Sequence, residues 1–311
     1  MLLPMTKPRI IFISGVGRSG STLLDRVLGQ TPGVVSVGEV YRFWSHRYLR
    51  RSWCSCGALV AECPFWDAVE GELGATDAAE AETQEARQWR VVSQRNLPLL
   101  PMRPLRTKGF AEDLAGFLAV RERLYRAILK AGDGTVVVDS TKIPRFALAL
   151  ARSDRFDLRI VHLVRDSRAS AYSWVRPKSA PTPDDPDARM QARRAAQVSA
   201  WWMVSNPLTE LLRLQGKPYL RVRYEDYVRD LEPWTAKVLD FAGIDARPVG
   251  LSGSEVTFTG DHLIAGNPIR KRMGTTQIRP DDEWKTKMGR RDRLVATAMT
   301  WPLLLRYRYR I

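Results

Sequence analysis

The segment at 9–28, RIIFISGVGRSGSTLLDRVL, constrains this chain more than any other part of it. Ile10, Ile11, Phe12 and Ile13 form a short, mostly β-branched apolar run of the kind that makes a buried parallel strand. Leu23, Leu24, Val27 and Leu28 then recur at helical spacing. Between strand and helix lies a glycine-rich turn bearing Arg18, Ser19, Gly20, Ser21 and Thr22. Such a turn lets backbone N–H groups point inward while the helix dipole favours negative charge, so the expected ligand is a phosphate or an anion built like one.

Three loop types compete for this pattern. Gly15-x-Gly17-x-x-Gly20 matches the dinucleotide fingerprint, with Glu39 where a ribose-binding acid sits. That loop brings bare backbone to a pyrophosphate, however, whereas an arginine among hydroxyls suits a concentrated terminal anion gripped by side chains. Gly15-x-x-x-x-Gly20-Ser21-Thr22 is a Walker A loop with serine in place of its lysine, which removes the cation that ATP transfer places on the β- and γ-phosphates.

In the third type, GVGRSGSTLLDRVLG resembles the 5′-phosphosulfate loop of sulfotransferases that use 3′-phosphoadenosine 5′-phosphosulfate (PAPS), in the branch with Arg where cytosolic members have Lys. It is also similar to the loop of tyrosylprotein and bacterial small-molecule sulfotransferases. A second stretch, RIVHLVRDSRASAYSWV at 159–175, resembles the 3′-phosphate motif of the same family. The resemblance implies a P-loop-NTPase-like sulfotransferase fold. It further implies that Arg165 and Ser173 clamp the 3′-phosphate, that Tyr224 lies on the adenine side, and that Arg270 and Arg272 of GNPIRKR close over the 3′-phosphate. The loop lacks the Arg-Lys-Gly order of cytosolic members. By the same resemblance Lys142 is a cation at the transferring group, and Glu39 is the base, as in the tyrosylprotein-type branch. His46 is the alternative base.

The remaining pattern is that of one α/β domain over 1–311 with a central parallel sheet flanked by helices. Apolar runs at 34–37, 135–139, 159–164 and 219–222 read as strands. Helical patterns occupy 67–95, 111–130, 190–214 and the stretch leading to Phe241. The part from 249 to the apolar stretch near the C-terminus reads as loop-rich. A helical and Cys-containing insertion spans about 45–130, and prolines at 98–104 break it. Four prolines in RPKSAPTPDDPD mark a flexible loop at about 176–190, expected to border the acceptor cleft. Glu39, Lys142 and Arg165 all fall at carboxyl ends of strands, where ligands of open α/β sheets bind.

With 49 Lys and Arg against 34 Asp and Glu, the chain carries a net charge of +15, which favours polyanionic partners. No nucleic-acid motif is visible and the basic residues form no stripe, so no nucleic acid is expected. The first residues, MLLPMTKPR, hold no signal-peptide core, and no apolar run approaches the roughly 18 residues of a spanning helix, so a cytoplasmic location is expected. Residues 294–305 with the RYRYR tail admit two readings, a peripheral membrane contact and a docked terminal helix, of which we take the second. Tyr41, Phe43 and Trp44 suit either a cleft for a flat or lipid-like acceptor or the core. Cys54, Cys56 and Cys63 are spaced C-x-C-x6-C, and His46 makes a poor fourth ligand, so buried free thiols are expected and no metal.

The resulting expectation is a PAPS-dependent transferase acting on a hydroxyl of a small-molecule or lipid acceptor, with no metal required, because a sulfuryl group carries less charge than a phosphoryl group. Two other classes stay open: a P-loop small-molecule kinase using ATP and magnesium, and a non-catalytic nucleotide-binding protein. The identity of the acceptor and the oligomeric state are not fixed by these residues.

Overall fold

The computed structural model describes residues 6–74, 76–100, 102, 107–176, 179 and 181–311. The apolar run of the opening segment becomes strand β1 (Arg9–Gly15), and the glycine-rich turn leads into helix α1 (Ser21–Leu28). Strand β2 (Val34–Ser36) follows, one residue shorter than expected. The single helix expected at 67–95 is two, α2 (Pro64–Leu73) and α3 (Ala78–Val91). Gly74 ends the first, and the Asp77 side chain accepts from the Glu80 N–H to start the second. Helix α4 (Lys108–Ala131) is capped by Thr107 and stops at Gly132. Part of the proline break, at 101 and 103–106, lies outside the described residues.

Strand β3 (Val136–Lys142), helix α5 (Pro144–Leu150), strand β4 (Asp157–Val164) and helix α6 (Ser167–Val175) continue the alternation. Helix α7 (Ala195–Glu210) ends before the 214 expected of it, and strand β5 (Tyr219–Arg223) runs straight into α8 (Tyr224–Arg229) and α9 (Leu231–Phe241). Trp202 of α7 is core, whereas its neighbour Trp201 is exposed. The C-terminal part is less irregular than its sequence suggests. Strands β6 (Leu251–Ser252), β7 (Glu255–Phe258) and β8 (Gly274–Gln277) form a small antiparallel sheet, followed by α10 (Trp284–Lys287) and α11 (Arg290–Arg306). Helix α11 runs through Pro302 and docks on α6 and α7, with Thr300 and Ser167 hydroxyls 2.6 Å apart. Among the described residues no helix is long and apolar enough to cross a membrane.

The main sheet has five parallel strands in the order β2-β3-β1-β4-β5. Its central strand is apolar on both sides, which is why the run does not alternate. Ile10 and Phe12 face a core shared with Phe43, Val137, Ile160 and the insertion's Trp66 and Leu124. Ile11 and Ile13 face the opposite core, with Leu24 and Val27 of α1 and Leu239 of α9. The fold expected from the strand and helix pattern, a parallel sheet covered on both faces, is the fold found.

Candidate active site

Because all five strands run the same way, the segments that leave them emerge at one edge and line up in strand order. Glu39 follows β2, Lys142 ends β3, the glycine-rich loop follows β1, Arg165 follows β4, and Tyr224 follows β5. This row joins residues scattered over the chain. The Lys142 Nζ donates to Glu39 Oε1 at 2.5 Å, with both side chains about one-seventh exposed. Arg165 Nη1 donates to the Arg18 carbonyl at 2.9 Å, and its guanidinium lies 4.6 Å from the centre of the Tyr224 ring.

The loop itself is built around Gly20, whose φ of +93° is the left-handed conformation that glycine adopts without strain. A Cβ there would stand 2.4 Å from the Tyr224 ring, so ring and loop backbone are in direct contact. Arg18 has φ +71° and Lys142 has φ +68°, two of only four described non-glycine residues with positive φ. Holding each there costs on the order of 1–2 kcal/mol, and such strain gathers at ligand sites.

Ser19, Ser21 and Thr22 are buried, and Thr22 Oγ1 accepts from the Asn267 N–H at 3.1 Å, tying the C-terminal loop to α1. The Arg18 guanidinium stacks over Trp174 at 5.1 Å, and among the described residues its Nη2 donates only to the weak acceptor Met190 Sδ, at 2.7 Å. Its Nε and Nη1, the Ser19 hydroxyl and the Arg165 Nε are buried and meet no acceptor in the described protein. Buried donors are almost always paired, so four orphans around one loop mark a place where an anion fits. Burial pushes the Arg18 guanidinium below its usual value, against the pull of Glu39 and with the push of Arg165.

Ser173 is buried on α6, and its neighbour Trp174 donates from Nε1 to the Gly17 carbonyl at 3.1 Å, fixing that helix to the loop. Arg168, in the same segment, is buried and paired with Asp166 at 2.7 Å. Sequence reasoning missed Asp281, whose carboxylate takes Arg165 Nη2 at 2.9 Å. No pattern in the chain pairs those two positions. Arg270 donates from Nη1 to the carbonyls of Trp53 at 2.7 Å and Leu263 at 3.1 Å, so it braces the loop that carries it, while Arg272 is exposed. Of the loop at 176–190, residues 177, 178 and 180 lie outside the described residues; its far end reaches the site through Met190.

Glu39 is the carboxylate that pairs with Lys142 on this edge. Burial pushes its pKa up, but the charges of Lys142 and Arg42 outweigh that and hold it below the usual carboxylate range. Burial, reinforced by Arg42 and Arg270, pushes His46 down to about 3. Its Nδ1 lies 3.2 Å from Ser45 Oγ. Tyr41, Phe43 and Trp44 are buried against Phe146, Trp66 and Tyr48, which makes them core rather than cleft lining. A second cluster joins the three cysteines to His262, the histidine left aside in the sequence reading. Cys54 and Cys63 are buried as expected, whereas Cys56 is exposed.

The architecture has known counterparts. Among solved structures, the sulfotransferase domain of the curacin biosynthetic pathway is similar in fold, with a TM-score of 0.54 and 17% identity over 98% of this chain and 99% of that one. The sulfotransferase domain of the olefin synthase from Synechococcus PCC 7002 aligns over 96% of this chain and 97% of its own, with 23% identity and a TM-score of 0.49. No curated protein matches by sequence. The sulfotransferase family model, in contrast, matches residues 8–248, a span that runs from the first strand through the glycine-rich loop, Glu39, Lys142 and the 3′-phosphate-like motif to the end of the fifth strand and beyond. By that match the chain belongs to the sulfotransferase family.

Proposed function

We propose that the chain transfers a sulfuryl group from PAPS to a hydroxyl of a small-molecule or lipid acceptor. The observation that carries this reading is the set of four orphaned buried donors, from Arg18, Ser19 and Arg165, around a glycine-rich loop at the carboxyl edge of the sheet. Two anionic ends of one nucleotide satisfy them. Arg18, Ser19, Gly20, Ser21 and Thr22 hold the 5′ end, Arg165 and Ser173 hold the 3′-phosphate, the C-terminal loop that carries Arg270 and Arg272 closes over it, and Tyr224 lies beside the nucleoside.

In the reaction the acceptor oxygen bonds to sulfur, the bond from sulfur to the bridging phosphate oxygen breaks, and Glu39 takes the hydroxyl proton. Negative charge grows on the bridging oxygen, where Arg18 and Lys142 stabilise it. The Glu39–Lys142 pair couples these events. Once Glu39 is protonated it no longer neutralises the ammonium, so Lys142 becomes a fuller cation when the leaving group needs one.

The test is a transfer assay with sulfur-labelled PAPS and with γ-labelled ATP plus magnesium, each against a panel of phenols, alkyl alcohols and lipid alcohols. Label transfer from PAPS alone is expected. Transfer from ATP alone makes the chain a kinase, and binding of adenosine 3′,5′-bisphosphate with no transfer to any acceptor makes it a nucleotide-binding protein.

A further inference from the structure

The three cysteines of the chain and His262 form one compact cluster of donor atoms. Cys54 and Cys63 sulfurs are 3.7 Å apart, as are Cys56 and Cys63, and His262 Nδ1 lies 3.2 Å from Cys63 Sγ and 3.9 Å from Cys54 Sγ. All four ligand atoms fall within 4.8 Å of one another. A zinc ion with bonds of about 2.3 Å to sulfur and about 2.0–2.1 Å to nitrogen gives tetrahedral edges of about 3.8 Å between sulfurs and about 3.5 Å from sulfur to nitrogen. The two sulfur–sulfur separations of 3.7 Å lie just under that edge, and the sulfur–nitrogen separations of 3.2 and 3.9 Å lie on either side of theirs. A disulfide needs sulfurs about 2.05 Å apart, and all three cysteines are free.

We propose that Cys54, Cys56, Cys63 and His262 bind one zinc ion in a closed structural site. The local backbone is arranged for it. Gly57 adopts φ +97° just after the second ligand, and the Cys54 N–H donates to Ala58 O at 2.9 Å while the Gly57 N–H returns to Cys54 O at 3.2 Å. This tight turn brings two cysteines to one side of the ion. Cys63 stands at the start of α2, where Pro64 fixes the helix entry, and Phe65 stacks on the His262 ring at 4.8 Å with planes only 6° apart, which fixes the imidazole orientation. Three thiolates and one imidazole in a tetrahedron are the donor set of zinc rather than of magnesium or calcium. On binding, the thiol protons pass to solvent.

The site staples the insertion to the C-terminal loop beside the strand end that carries Glu39. Ser55, between two ligands, donates from Oγ to Asp261 O at 2.8 Å and accepts from the Leu263 N–H at 2.7 Å. The Ile264 N–H donates to Val37 O at 3.0 Å, two residues before Glu39. Arg270 reaches across the same junction to Trp53 O. The proposal does not rest on the sulfuryl-transfer reading, since metal content is the same whatever reaction the chain performs.

Elemental analysis of the full chain, purified under reducing conditions without chelator, is expected to find about one zinc per chain. Replacement by cobalt(II) is expected to give the intense visible bands of tetrahedral thiolate coordination. Cys56→Ser, at an exposed position that leaves the core intact, and His262→Ala should each lower zinc affinity by about 10- to 100-fold or more, as loss of a ligand requires. The proposal is overturned if zinc stays below about a tenth of an equivalent while all three thiols react freely in the native chain. It is equally overturned by a disulfide among the three on mass analysis, or by Cys56→Ser leaving zinc content and cobalt spectrum unchanged.

Discussion

Replacing Glu39 with Gln separates base catalysis from binding, because the two depend on its charge in opposite senses. Loss of a general base lowers turnover by about 10²- to 10⁴-fold, or about 3–5 kcal/mol of transition-state stabilisation. The same change breaks an ion pair whose side chains are 13% and 14% exposed. Removing one partner of a buried pair costs about 3–5 kcal/mol, of which the Gln oxygen, still accepting from the ammonium, offsets about 1.5–3, so a net loss of roughly 2 kcal/mol in stability is expected. Binding moves the other way. The Glu39 carboxylate offsets the field of Arg18, Arg42 and Lys142, and without it the edge is more positive toward a nucleotide polyanion. Titration calorimetry with adenosine 3′,5′-bisphosphate should therefore give a dissociation constant equal to or below that of the parent chain, while initial rates with labelled donor collapse. In the parent chain, with Glu39 held below the usual carboxylate range, the rate should stay flat from neutral pH down to that range and fall beneath it. The reasoning fails if turnover stays within about tenfold of the parent, or if affinity weakens in step with turnover, which makes Glu39 a brace for Lys142 and nothing more.

Arg165→Ala should weaken the bisphosphate by about 10- to 100-fold, the worth of one to two charge-assisted hydrogen bonds, and weaken a nucleotide lacking the 3′-phosphate much less. Equal losses for both ligands would assign Arg165 to holding the Arg18 carbonyl instead of a phosphate. Asp25, fully buried on α1, is pushed up to about 7 by burial, against the hydroxyls of Ser140 and Ser36 that donate to it at 2.5 and 2.6 Å. Its folded carboxyl binds a proton more tightly than an unfolded one near pH 3.9, so its stabilisation is full below that value and is lost as pH rises toward about 7. Thermal melts of Asp25→Asn across pH 4–8 should lack that slope, and an unchanged slope would refute the assignment.

What could be read from the chain and what could not divide along a physical line. The strand at Ile10–Ile13 announces itself because a parallel strand buried on both faces has to be continuously apolar, and the loop after it because an anion cradle needs glycines and hydroxyls side by side. The place of Glu39, Lys142 and Arg165 at strand ends was legible for a related reason, since it follows from where the apolar runs stop. Features made by distant pairs were not. Trp201 and Trp202 are adjacent in the chain, and Trp202 is core because Val16, Val164, Leu304 and Tyr307, brought from distant parts of the chain, pack around it. The Arg165 partner, Asp281, lies 116 residues away in a segment with no regular pattern.

The cysteine cluster carries this division furthest. A C-x-C-x6-C run supplies three soft ligands and lacks a fourth, and a scan along the chain finds only His46 nearby, whose Nδ1 meets Ser45 instead. The fourth arrives from 199 residues beyond Cys63, on the loop that leads to Arg270. Its arrival depends on Asp261, which pairs with the wholly buried Arg26 at 2.6 Å, and on Leu263, held by the Ser55 backbone and hydroxyl. Arg26 belongs to the helix that opens at the anion loop. The contacts that seat His262 therefore run back to α1, the helix that the glycine-rich segment begins. A change that shifts α1 should thus be felt at the thiols, and loss of a metal there should be felt as looser nucleotide binding at an edge that none of the three cysteines touches through any described hydrogen bond.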